Sequence, residues 1–265
     1  MSALGHYLEE EGIASVAISL IRPQTENTRP PRALWVPFEL GRPFGPPCDA
    51  AFQKRVLLAA LLLLERADGP VLIEDFPDDD PRARPDPAWL PPRSQAAADG
   101  PPEALAQRLE AEIASLQEAH ARWRARHGYS TVGLSGLSIA ECGGYIAAWL
   151  RGAAPASPRD GYSAPLLLRF AIDDLKAYCL ESAAGTGGKP SSRQLGDWLW
   201  NETASGASLH ALREMYQGSD DDRLKLIAGN FIVPGARQRQ PAGFGSPRSS
   251  AIAAGRTAPV KGRVQ

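Results

Sequence analysis

The residue best placed to do chemistry in this chain is a thiol at the foot of a helix. Cys48 ends the stretch "ELGRPFGPPC" and precedes Asp49, which stands where a helix N-cap is expected. There the helix dipole and its unbonded N–H groups favour a thiolate, so Cys48 is the candidate catalytic residue. The competing reading is a small apolar side chain tucked under the loop, since free cysteine is one of the most buried residue types. A second group lies upstream. Thr25, Glu26, Arg29 and Arg32 crowd the turn between two expected strands, on the side where an open sheet places its ligands if its strands run parallel. Arg29 or Arg32 would hold a carboxylate through two parallel hydrogen bonds, which suits a small amino-acid-like substrate. The bland reading is a stiff, solvated turn. Arg42, between Gly41 and Gly45, is the last binding candidate, but "GRPFG" matches no phosphate-binding loop and its proline removes a donor.

The other reactive residue types form no second constellation. Cys142 and Cys179 fall inside expected helices and no C-x-x-C pair exists, so neither a disulfide framework nor a resolving thiol is expected. His6, His120, His127 and His210 show no metal-ligand spacing and read as surface or interface residues. The runs Asp78 to Asp80 and Asp220 to Asp222 read as solvated charge. Neither a metal nor another cofactor is called for. Trp149, Tyr178, Trp198, Trp200 and Tyr216 fall at core-like spacing, with Trp198 and Trp200 on different helix faces so that one of them is expected in solvent.

These candidates depend on the elements that carry them. Residues 3–11 read as an amphipathic helix stopped by Gly12, and 14–20, 33–37 and 70–76 as short apolar strands. Residues 50–66 read as a helix whose run Leu61 to Leu64 is apolar nearly all round and is therefore expected to be buried. Three short strands with one or two helices cannot cover both faces of a parallel sheet. The sheet of 1–76 is thus expected to be incomplete, and to be completed by the C-terminal helices, by a protein partner or by self-association. Residues 77–102, rich in proline and aspartate, read as a linker. Beyond it, Leu105, Leu109, Ile113, Leu116 and Trp123 predict one long helix ended by Gly128. Further helices are expected over 138–150, 166–184, 192–202, 209–216 and 222–231, and Ser191 with Gln194 has capping-box spacing. The reading is an α/β N-terminal portion followed by an all-α helical domain, 103–233, with 234–265 too polar and Gly/Pro-rich to pack and expected to be disordered.

The run "GIASVAISL", then "RPPRALWVPFELGRPFGPPCD", then a helix beginning "AAFQKRVLLAALLLLE" resembles the C-terminal part of the selenoprotein B component of the glycine, sarcosine, betaine and D-proline reductases. The resemblance covers about residues 1–70. It implies reductive cleavage of a C–N bond in an amino-acid-like amine. In that family the selenocysteine or cysteine motif lies just upstream of the helix placed here at 3–11, so the resemblance also implies that the redox motif is missing from this chain. Two classes follow: a reductase component whose redox residue is supplied elsewhere, and a non-catalytic interaction or structural subunit that has kept the α/β scaffold.

Composition bounds both. The 265 residues suffice for one large or two ordinary domains. A formal net charge of −1 gives no electrostatic drive toward nucleic acid or an anionic membrane surface. No secretory signal pattern opens the chain and the longest apolar run, 56–64, is too short to span a bilayer, so a soluble, cytoplasmic protein is expected.

Overall fold

The computed structural model describes residues 2–94 and 100–237. Its first part runs α1 (Ser2–Glu10), β1 (Ala17–Ser19), α2 (Arg22–Thr28), β2 (Arg32–Trp35), α3 (Ala50–Leu62), a 3-10 turn (Leu63–Glu65) and β3 (Leu72–Asp75). The strands are parallel in the order β1-β2-β3, with Ile18 beside Leu34 and Arg32 beside Leu72. Side chains alternate across a strand, and Ile18, Leu34 and Leu72 join Val36 and Phe38 against Phe52, Val56, Ala60 and Leu63 of α3 and its turn. Phe38, Phe52 and Phe76 close this small core with ring centroids 5.5 to 6.0 Å apart. The alternate positions meet α2: the Ser19 hydroxyl bonds that of Thr25, and the Arg22 guanidinium stands 5.6 Å over the Trp35 ring and pairs with Asp75.

Two expectations are corrected here. The turn between β1 and β2 contains a helix, α2, that periodicity cannot reveal because "RPQTENT" holds no apolar residue. Pro23 pre-sets its first turn, Thr25 is buried and donates to the Ile21 carbonyl at 2.9 Å, and Arg29 ends it in a left-handed conformation with its N–H on the Thr25 carbonyl. The leucine run of α3 is not buried all round. Phe52, Val56 and Ala60 turn inward with Leu63, whereas Leu57, Leu58, Leu61 and Leu62 remain exposed. A sheet three strands wide covers one face of α3, and the C-terminal helices pack on one another instead of over its outer face.

The second part is helical: α4 (Pro102–His127), α5 (Ile139–Leu150), α6 (Ala164–Ala184), α7 (Ser192–Glu202), α8 (Ala204–Tyr216) and α9 (Asp222–Asn230). The predicted stripe of α4 faces the core, and Gly128 stops the helix at φ 76°. Ser138 with Glu141 and Ser191 with Gln194 form capping boxes on α5 and α7. Gly143 lets α5 press on α4, since a Cβ there would sit 2.5 Å from Ile113 Cδ1. α8 starts five residues earlier than expected because Thr203 caps it and Glu112 of α4 accepts from the Ala204 and Ser205 N–H groups at 3.1 and 2.7 Å. Trp198 and Trp200 are both buried, since α7 is enclosed on both faces where they lie. His210 is buried against Trp200, and His120 is packed on Tyr178 with ring centroids 4.7 Å apart, so neither is a surface histidine.

Of the stretch 77–102, Trp89 enters the helical core and donates from Nε1 to the Ala183 carbonyl at 3.1 Å. Asp86 accepts from the Lys189 N–H at 2.6 Å and Gln194 donates to the Asp86 carbonyl at 3.0 Å. The tail expected over 234–265 lies, from 238 onward, outside the described residues; before it Arg237 reaches back to pair with Asp197. No helix among the described residues is long and apolar enough to cross a membrane.

Candidate functional site

The chain leaving β3 passes straight into "PDDD", and this acidic turn meets the two helices that frame it. Phe52 and Arg55 come from the first turns of α3, Pro77 to Pro81 and Arg84 from the segment after β3, and Arg193 from the first turn of α7. Together they line an open cleft of about 550 Å³ at the junction of the two parts. It lies beyond the carboxyl end of β3, where parallel sheets characteristically hold ligands. The aspartates are divided among the arginines: Asp78 pairs with Arg55, Asp79 lies 4.0 Å from Arg193, and the buried Asp80 lies 3.8 Å from Arg42. Arg84 has no acidic partner among the described residues. The walls therefore offer, among the described residues, a guanidinium without an acidic partner and in Asp79 a carboxylate only distantly paired, a surface matched to a small molecule bearing both signs of charge. Among the described residues no group of His, Cys, Asp or Glu converges to hold a metal ion.

The residues singled out from sequence do not assemble into one site. Thr25 is buried and spends its hydroxyl on Ser19 and Ile21. Glu26 pairs with Arg22 one turn away at 3.0 Å. Arg29 is the left-handed end of α2, and Arg32 begins β2, at the edge of the sheet opposite the carboxyl ends, where it pairs with Glu9. Glu9 also accepts from the Ser15 N–H at 2.7 Å, and these bonds, the backbone one foremost, hold its carboxyl below the usual range. Arg42 alone reaches the junction, through Asp80 and the small recess between Glu39 and Ser192. Cys48 is exposed with φ 62°, ahead of Asp49, whose carboxylate takes the Phe52 N–H at 3.0 Å. One of the N–H groups that the helix start offers to a thiolate, that of Phe52, is thus taken by the Asp49 cap. The junction residues Arg55, Asp78, Asp79, Arg84 and Arg193 were not singled out as ligand residues. The available signal was positional: an acidic run directly after a parallel strand sits at the edge where sites form.

Two further polar groupings are structural. His120 Nε2 lies 2.8 Å from Glu181 Oε2 and 3.5 Å from Ser130 Oγ, and Ser130 donates to the same carboxylate at 2.7 Å. A catalytic hydroxyl–imidazole–carboxylate row needs one ring nitrogen for each neighbour, so this cluster fastens the loop after α4. Ser135 bridges Asp174 and Cys142, but burial pushes the Cys142 thiol up to about 11, and burial raises that of Cys179 as well. Both are poor nucleophiles. Comparison of the chain with protein-family models, with curated proteins and with solved structures finds no match.

Proposed function

We propose that this chain is the binding component of a reductase of the selenoprotein B type, holding a small amino-acid-like amine at the junction cleft while the reducing thiol or selenol comes from elsewhere. The observation that carries the reading is the lining of the cleft, where Arg84, without an acidic partner among the described residues, joins Asp79 and Arg193. Arg84 receives the ligand carboxylate and Asp79 its ammonium group. Breaking a C–N bond reductively takes two electrons, which a dithiol or selenol–thiol pair supplies. Here Cys48 is exposed and alone, and the other two thiols are buried, so the chain's part is to bind and orient. Three free cysteines suit a reducing, cytoplasmic setting.

Calorimetric titration of the full chain with glycine, sarcosine, betaine and proline tests this. At least one is expected to bind, and Arg84→Ala with Arg193→Ala is expected to weaken it by about 10- to 150-fold, the loss of a charge-assisted bond of roughly 1.5–3 kcal/mol. Both arginines are exposed or half-exposed, so the fold should survive the change. Absence of binding for all four ligands, or binding untouched by the double substitution, would sink the reading.

A further inference from the structure

We propose that the outer face of α3 is a self-association surface on which a second copy of this chain docks, helix against antiparallel helix, about a two-fold axis. Leu57, Leu58, Leu61 and Leu62 are 45, 57, 47 and 49% exposed, so the half of α3 from 56 to 62, which is apolar on every side, has found a partner for only one of them. Residues three and four apart share a helix face, and the four leucines form a stripe two turns long, opposite Phe52, Val56 and Ala60. Contiguous exposed apolar surface of this kind marks a site of association.

The charges at the ends of the stripe identify the occupant. Lys54 lies one turn before Leu58 and Glu65 one turn after Leu61, so the basic residue marks one end and the acidic residue the other. Both are exposed, and neither has an ion-pair partner among the described residues. Their neighbours are already engaged: Arg55 pairs with Asp78, and Arg66 with Asp68 and Glu74. When two copies of α3 cross antiparallel with the axis between Ala59 and Ala60, Leu58 of each meets Leu61 of the other and Leu57 meets Leu62. The same register sets Lys54 of each against Glu65 of the other, closing both ends with opposite charges. A parallel arrangement would set Lys54 on Lys54 and Glu65 on Glu65. The surface is thus complementary to itself in one orientation, the requirement for a closed two-fold pair. It lies apart from the ligand reading above and does not depend on it, because the lysine and the leucines do not line the junction cleft.

Sedimentation equilibrium of the full chain across a concentration series tests the proposal. The mass is expected to rise with concentration toward twice 28.4 kDa. Leu58→Glu with Leu61→Glu should return it to one chain mass while circular dichroism stays unchanged, since both side chains point away from the core. Lys54→Glu alone should weaken association by about tenfold through two symmetric contacts, and adding Glu65→Lys should restore it. A chain that stays monomeric at every concentration overturns the proposal, as does a dimer indifferent to the leucine substitutions. A Lys54→Glu defect that Glu65→Lys fails to rescue overturns the antiparallel register.

Discussion

Single buried carboxylates do much of the organising in the helical part. Glu112 accepts from the Ala204 and Ser205 backbones and from the Ser205 hydroxyl; Asp174 accepts from three successive N–H groups, Gly133, Leu134 and Ser135, at 2.8 Å each. Glu181 does the same for Thr131, Ser130 and His120. Its burial raises the carboxyl pKa, but the bonds from Thr131, Ser130 and His120 outweigh that and leave it below the ordinary 4.5. A depressed folded value means that the stabilisation is complete above the unfolded pKa and is lost as pH falls through the folded one. The urea midpoint should therefore drop as pH falls below the ordinary 4.5, and drop less in Glu181→Gln; equal slopes would refute the assignment. The thiols give a second residue-level test. Iodoacetamide should modify one thiol per native chain, at Cys48, and all three in denaturant, as read by mass spectrometry of the peptides. None of the three clamping carboxylates was legible in the sequence. Each lies within an apolar helical pattern, and the backbone N–H groups it accepts from lie 39 to 93 residues away.

At the level of elements, what could be read was what is written locally. The long stripe of α4, the stop at Gly128, the cap at Asp49 and the box of Ser191 with Gln194 all depend on residues within a turn of each other. What escaped was helix α2, which polar residues build from a proline and a buried threonine, and the true exposure of α3, which depends on how wide the sheet is. The Pro/Asp-rich stretch shows the same limit, because composition describes its many exposed residues and conceals the one that anchors it. Trp89→Ala should cost about 3–5 kcal/mol in chemical denaturation, the usual loss for a large buried aromatic. Leu90→Ala, its 77% exposed neighbour, should cost almost nothing. A similar loss for both would mean that the segment is not fastened by the indole.

Across the whole molecule, an apolar helical core and a small sheet core meet through polar contacts, Ser192 on Glu39 and Arg193 near Asp79 among them. Charged, water-accessible joins suit the binding of a small polar molecule that we propose for the cleft. The leucines that the junction leaves uncovered turn the other side of α3 outward. The clamp of Glu112 on α8 has a consequence for how the chain is made. Glu112 leaves the ribosome 93 residues before Ser205, about 5–20 s earlier at ordinary synthesis rates. Until then, among the described residues, only the Ser94 hydroxyl can reach one oxygen of its carboxylate and the other must keep its water, so α4 can form but cannot seal its inner face. The helical part is therefore a structure that closes late, and the nascent chain must shelter an open apolar groove until α8 emerges.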